Sequence, residues 1–181
     1  MNSYKQPKRT NVYIDGANLH KAVEELGWHL DYKRFRIWLK DKYQIDRAFL
    51  FLGFIPKNKN LYTYLQESGF ILVYKEVTYD GRGSVKGNCD AALVLKTTVD
   101  FYEERYEKAV IVASDGDYAG LVEFLKQRNA LRTIISPSNR CSYLLRKQNL
   151  PIVYLNTQRK KLESQKEKAP NGDDTPPGSL S

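Results

Sequence analysis

The chain alternates between short apolar runs and longer stretches in which apolar residues return at three- and four-residue spacing, a strand-then-helix rhythm. Asn11 to Ile14 reads as a buried strand, and Gly16 allows a turn into a helix over Ala17 to Leu26. Asp31 caps a second helix whose Phe35, Trp38 and Leu39 fall on one face. Arg47 to Phe54 is the next strand, Leu61 to Ser68 a helix stopped by Gly69, and Phe70 to Val77 a third strand. Tyr79 to Asn88, broken by glycine and asparagine, reads as a basic loop carrying Arg82 and Lys86. Asp90 then opens a long helix that turns Ala91, Leu93, Val94 and Val99 inward and leaves Asp100, Glu103, Glu104 and Arg105 to solvent. A fourth strand over Ala109 to Ala113 follows, then a helix over Tyr118 to Arg128 and a fifth strand over Arg132 to Ile135. A short helix over Ser142 to Lys147 and a sixth strand over Ile152 to Leu155 complete the pattern.

Such alternation implies an α/β fold with a mostly parallel sheet covered on both faces by right-handed crossovers. The expected order places the first strand beside the fourth. The chain then winds away from the first strand in both directions, and a crevice opens at the carboxyl ends of those two strands, where ligands of such sheets bind. Residues 1–10 form an N-terminal extension and 11–156 one domain. From Thr157 the sequence turns to Gln, Lys, Glu, Pro, Gly and Ser without apolar periodicity, so 157–181 reads as a disordered polar tail.

Composition narrows the function classes. With 181 residues and 41% hydrophobic content, one globular domain is expected. The net charge of +8 directs attention to anionic partners, nucleic acid first. No apolar stretch reaches the roughly 18–20 residues a membrane span needs, and Met1 to Thr10 lacks a signal-peptide core, so the expectation is a cytoplasmic protein without membrane association. Cys89 and Cys141 have no Cys-x-x-Cys spacing, which argues for buried free thiols rather than a zinc knuckle or a disulfide framework. His20 and His29 do not form a metal pair by spacing. Neither a Gly-x-Ser-x-Gly elbow nor a Walker A loop is present.

The candidate chemistry lies in two strings, Tyr13-Ile14-Asp15-Gly16-Ala17-Asn18 and Ala113-Ser114-Asp115-Gly116-Asp117, each at the end of a strand. Taken singly, each is also a good turn or helix-cap sequence. Together they place Asp15 opposite Asp115 across the crevice, and crowded carboxylates repel one another without a cation. Asp90, at a helix start, is a third corner if its loop brings it there, and an ordinary cap otherwise. Asp15, Asp90 and Asp115 are oxygen donors of the kind that select Mg²⁺ or Mn²⁺ over zinc, with Asp117 beside them. Asn18 can donate its amide to a phosphate or fix a carboxylate. Arg82, Lys86 and Arg140, with Lys57 and Lys59 as further candidates, fall in loops that would ring this acidic centre. A basic rim around an acidic metal pocket suits a polyanion cut by metal-assisted hydrolysis. Tyr62, Tyr64, Tyr79 and Tyr143 are either base-stacking residues or simply cover for the sheet.

Three pieces carry a family resemblance: Ile14-Asp15-Gly16-x-Asn18, then Lys86-Gly87-x-x-Asp90 opening a helix, then Ser114-Asp115-Gly116-Asp117. In this order, across Asn11 to Leu155, they resemble the NYN domains of the PIN-like nuclease superfamily, particularly the LabA-like bacterial branch. The resemblance implies a PIN-like three-layer α/β/α sandwich and a divalent-metal endoribonuclease site with Asp15, Asp90, Asp115 and Asp117 as its acidic set. Asn18 and Ser114 would then contact the substrate or support the ligands. Two departures stand out. Cys89 precedes Asp90 where members commonly have an apolar residue such as Val. Some members also carry a further acid two helical turns after the position of Asp90, where this chain has Lys96-Thr97-Thr98, so a second metal lacks that ligand.

Two function classes follow: an Mg²⁺- or Mn²⁺-dependent RNase acting on RNA, and a non-catalytic RNA-binding or protein-interaction module of the LabA-like type. A homodimer is left open. A phosphoacceptor receiver would need an acid pair after strand one and a lysine after strand five, where this chain has Ser136-Pro137. A Toprim-like nicking domain would need a glutamate after strand one, and a dehalogenase-like phosphatase would need Asp-x-Asp where Asp15-Gly16-Ala17 stands.

Overall fold

A computed structural model describes residues 9–75, 78–79, 85–86 and 89–164. In chain order the elements are β1 (Thr10–Asp15), α1 (Gly16–Glu25), α2 (Tyr32–Tyr43), β2 (Ile45–Gly53), α3 (Lys59–Glu67), β3 (Ile71–Lys75), β4 (Thr78–Tyr79), β5 (Val85–Lys86) and α4 (Asp90–Tyr102). They continue with β6 (Lys108–Val112), α5 (Ala119–Gln127), β7 (Leu131–Ser136), α6 (Tyr143–Arg146), β8 (Ile152–Tyr154) and α7 (Arg159–Leu162). Six strands form one parallel sheet in the order β3-β2-β1-β6-β7-β8, and β4 pairs with β5 as a separate antiparallel ribbon. The strand expected fourth is β6, and it lies beside β1 with Tyr13 opposite Ile111 and Ile14 opposite Val112.

β1 is buried along its whole length, as a central strand covered on both faces must be. One core, built on Val12, Ile14, Leu50 and Val110, is covered by Leu19, Phe35, Leu39 and Leu65 of α1, α2 and α3, and by Leu162 of α7. The opposite core, on Tyr13, Phe49, Phe51 and Ile111, is covered by Leu93, Leu121, Val122, Leu125 and Leu145 of α4, α5 and α6. Helix starts follow the expected caps. Asp15 Oδ1 accepts from the Asn18 amide at 3.0 Å, and Asp31 Oδ1 accepts from the Arg34 amide at 3.0 Å.

Gly16 does a different task from the one its turn position suggests. A Cβ there would lie 2.3 Å from Leu52 Cδ2 and 2.6 Å from the Phe51 carbonyl oxygen, so the absence of a side chain lets α1 start against the end of β2. Gly69, with φ +92°, ends α3 in the left-handed conformation.

Several helix-face expectations need correction. Asp100 is buried rather than solvated, because the Tyr13 hydroxyl donates to its Oδ2 at 2.9 Å and Lys96 Nζ reaches its Oδ1 at 2.6 Å. Ala91 and Val99 face outward, while Leu93, Thr97 and Asp100 face in. Thr97 can turn inward because its hydroxyl donates to the Leu93 carbonyl, leaving no unsatisfied donor. Beyond Thr157 the chain does not become featureless at once. α7 forms, Leu162 is fully buried, and the Asp31 amide donates to the Leu162 carbonyl at 2.8 Å. One buried apolar side chain and two backbone bonds, the second from the Ser164 amide to the His29 carbonyl at 2.8 Å, dock a segment whose composition alone looks unfoldable.

Candidate active site at the carboxyl ends of β1 and β6

The switch in winding falls between β1 and β6, and Asp15 ends β1 at this point. Asp15 is 6% exposed, and both of its oxygens are engaged: Oδ1 by the Asn18 amide and Oδ2 by the Tyr118 hydroxyl at 2.9 Å. The same hydroxyl lies 2.5 Å from Asp90 Oδ1. Asp90 occupies the first turn of α4, with Cys89 at the cap position, so its carboxylate is turned to Tyr118 instead of serving only as a cap. Residues far apart in sequence thus meet on one buried phenol.

Burial is the main force on this group. It drives the Asp15 carboxyl above the usual carboxylate range, opposed by the bonds from Asn18 and Tyr118 and reinforced by the charges of Asp90 and Asp115. The Tyr118 hydroxyl is likewise pushed far up by burial and then by Asp15 and Asp90, so it stays protonated. Having a single proton, it can donate fully to one carboxylate at a time. No salt bridge reaches Asp15 among the described residues.

Asp115 follows β6, is exposed, and accepts from the Asp117 amide at 3.2 Å to cap the 3₁₀ turn Gly116–Tyr118. Asp117 is exposed on that turn and does not cap α5, which begins at Ala119. Asn18 ties the two strand ends together: its Oδ1 accepts from the Ser114 amide at 3.0 Å and from the Ser114 hydroxyl at 2.9 Å. That orientation engages the side-chain oxygen of Asn18, so its Nδ2 is the group with hydrogens to donate. Ser142 extends the linkage by donating its amide to the Ser114 carbonyl at 2.9 Å.

Arg140 is exposed between β7 and α6, with its amide bonded to Ser138 Oγ at 3.0 Å. Arg82 lies outside the described residues, and of Lys86 only its place in β5 is described. His20 sits half-buried on α1 and is held below its ordinary pKa by burial, consistent with a neutral ring outside the acidic group. Cys89 and Cys141 are buried free thiols, as expected, and burial pushes the Cys89 thiol up to about 11.

The oxygen donors suit a hard divalent cation in chemistry. In arrangement they form a pair bridged by a phenol, with Asp115 near enough to act on Asp15 electrostatically. Among the described residues no three Asp, Glu, His or Cys side chains are gathered as a ready metal cage. Tyr118 is the member that sequence reasoning missed. Its signal was present, since a bulky phenol follows Ser-Asp-Gly-Asp directly and a buried tyrosine hydroxyl demands a partner.

The comparisons with known proteins agree with this architecture. The chain is 22% identical over 143 residues to the low amplitude and bright protein LabA of Synechococcus elongatus, a match covering 72% of this chain and 75% of that protein. A crystal structure of a protein of unknown function from Vibrio parahaemolyticus superposes with a TM-score of 0.69, covering 86% of this chain and 96% of that one at 22% identity, which shows a shared fold. No helix among the described residues is long and apolar enough to cross a membrane. Residues 9–150 match the NYN domain, a span that holds β1, β6 and the four candidate aspartates Asp15, Asp90, Asp115 and Asp117, and the chain belongs to the NYN domain family.

Proposed function

We propose that this protein is a divalent-metal-dependent endoribonuclease that hydrolyses RNA phosphodiesters at the crevice between β1 and β6. The observation that carries the reading is the meeting of Asp15 and Asp90 on the Tyr118 hydroxyl, deep in the sheet's switch point, with Asp115 adding charge and no ion pair to Asp15 among the described residues. Carboxylates brought this close repel one another, and a divalent cation between them relieves that repulsion. Family membership supports the same reading, since NYN domains have the PIN-like nuclease fold.

Asp15, Asp90 and Asp115 would hold Mg²⁺ or Mn²⁺, and the ion supplies water activation and stabilisation of charge on the phosphate oxygens. Asp117, exposed beside them, orients the attacking water. The Asn18 amide and the Ser114 hydroxyl fix the strand ends and meet the phosphate. Arg140, Arg82 and Lys86 attract and hold the RNA backbone. The setting is cytoplasmic, in keeping with an RNA substrate.

The test is cleavage of a labelled RNA by purified protein in Mn²⁺ or Mg²⁺, beside Asp15→Asn. Loss of at least about a hundredfold in rate is expected for the variant, with both proteins inert in EDTA. Equal cleavage by the two proteins removes this centre from the reaction.

A second reading, a non-catalytic RNA-binding or interaction module, is favoured by one observation: a phenol bridges Asp15 and Asp90, and among the described residues no three Asp, Glu, His or Cys side chains are gathered as a metal cage. Tight RNA binding without turnover in any divalent ion would establish it.

A further inference from the structure

The carboxyl ends of β2 and β3, next to β1, present two aromatic rings to solvent. Phe54 and Tyr74 are each 42% exposed and meet edge to face at 5.5 Å. Behind them lies Tyr62 of α3, 5% exposed, with its ring 5.9 Å from Phe54 and 5.1 Å from Tyr74. The Tyr62 hydroxyl is fixed to the backbone, accepting from the Ile55 amide at 2.8 Å and donating to the Gly53 carbonyl at 3.3 Å. The Phe54 amide donates to the Lys75 carbonyl at 3.0 Å, extending the β2–β3 ladder past Gly53. The two exposed rings are therefore backed by a rigid one and held by backbone bonds. Of the tyrosines suggested by sequence as base-stacking residues, Tyr62 turns out to be the support, and the displayed Tyr74 was not among them.

The turn that follows Phe54 carries charge of one sign. Lys57 and Lys59 are exposed in the turn and first residue leading into α3, neither is in an ion pair among the described residues, and no acid occurs from Gly53 to Tyr64. Position is informative too. Asp15 pairs with Phe51, and Tyr74 pairs with Leu52, so the backbone at Phe54 and Tyr74 lies about 10 Å from that at Asp15 by strand spacing and rise, with the rings toward the α3 face of the same sheet edge. That span is about three stacked nucleotides at 3.4 Å each. Exposed rings beside lysines at this range form the combination that takes unpaired bases and their phosphates together.

We propose that Phe54 and Tyr74 form a nucleobase-stacking subsite, with Lys57 and Lys59 on the adjoining phosphates, that fixes the register of an RNA strand relative to Asp15. The proposal rests on the nuclease reading for the position of the cut, and on the rings and lysines for binding. Duplex RNA, its bases already stacked, gains nothing from the rings.

The experiment uses the full chain carrying Asp15→Asn, in EDTA, with a fluorescent oligouridylate and a self-complementary duplex of equal length as probes. Adding Phe54→Leu and Tyr74→Leu keeps apolar bulk at partly exposed positions and removes the π faces, and circular dichroism confirms folding. Binding of oligouridylate is expected to weaken about tenfold or more while binding of the duplex is unchanged. Unchanged oligouridylate binding, or equal loss for both probes, overturns the subsite. If the oligouridylate arm behaves as expected but the unsubstituted chain does not cut RNA in Mn²⁺, the subsite stands and the hydrolytic reading falls. If the Asp15→Asn protein binds neither probe, the subsite falls, and cutting of RNA by the unsubstituted chain in Mn²⁺ decides the hydrolytic reading separately.

Discussion

The two ends of α4 each carry an aspartate that meets a tyrosine hydroxyl, and the two meetings serve different ends. In the last turn, Asp100 is 1% exposed and receives the Tyr13 hydroxyl at 2.9 Å, Lys96 at 2.6 Å and the Arg105 guanidinium at 3.7 Å. Its charge is neutralised from within the fold. In the first turn, Asp90 shares the Tyr118 hydroxyl with Asp15, while Asp15 has only acids among its charged perturbers. Similar polar contacts therefore hold a neutralised joint around Asp100 and leave Asp15 with like charges as its neighbours. What separates Asp100 from Asp15 is a cation within reach, supplied to Asp100 by Lys96 and Arg105.

The comparison can be broken most forcefully at Asp100. Asp100→Ala leaves the Tyr13 hydroxyl buried without an acceptor and removes both ionic contacts. Because Lys96 and Arg105 can turn to solvent, a loss of about 2–4 kcal/mol in urea unfolding is expected, below the full cost of stranding a buried charge. A loss under about 0.5 kcal/mol, the scale of ordinary surface changes, would show that the joint carries little.

Tyr118→Phe probes the other end while keeping the packing of a fully buried ring. Loss of the hydroxyl that spaces Asp15 and Asp90 should weaken Mn²⁺ binding by about tenfold or more in calorimetry, with little change in melting temperature. Unchanged affinity would mean that the phenol only fills space. Tyr13→Phe is the matched control and should affect stability but not Mn²⁺ affinity.

Asp15→Asn should raise the melting temperature of the metal-free protein by about 2–4 °C, because it removes a buried charge beside two others and leaves a side chain that still caps α1. Excess Mn²⁺ should reverse the order by stabilising only the unsubstituted protein. A variant that melts lower without metal would contradict the crowding of like charges.

The smallest effect is the pH dependence of that difference. The Asp15 carboxyl titrates above its ordinary value of 3.8 in the folded chain, mainly through burial. Its contribution is fully present below the unfolded pKa and is lost as pH rises through the raised folded value. The stability gap between the variant and the metal-free protein should therefore close in acid and widen on moving up through that range. A gap that is flat with pH would place Asp15 in an ordinary environment.

Much of the strand order was legible because a covered parallel sheet imposes strong patterns. Central strands are continuous apolar runs and crossovers are helical, which placed β1 beside β6 from periodicity alone. The acidic strings were legible for a related reason: strand ends at a switch point are where polar residues have room. The faces of α4 were not. Thr97 and Asp100 look solvent-facing by residue type, and only a hydrogen-bonded partner makes their burial tolerable. Those partners, the Leu93 carbonyl and the Tyr13 hydroxyl, become available only once the helix lies on the sheet. α7 escaped for the same reason, since Leu162 alone gives no periodicity, and its burial depends on the start of α2 being there to receive it.

By itself the sequence determined an alternating α/β chain with a mostly parallel sheet, its first strand beside its fourth, and the placing of Asp15 and Asp115 at those strand ends, because hydrophobic period and turn chemistry are local properties. Only the tertiary structure decided that Asp15 and Asp90 share the phenol of Tyr118, that Asp100 is a neutralised joint, and that Phe54 and Tyr74 face solvent beside the crevice. Each depends on side chains from distant segments arriving at one place, where burial and charge set what a residue can do.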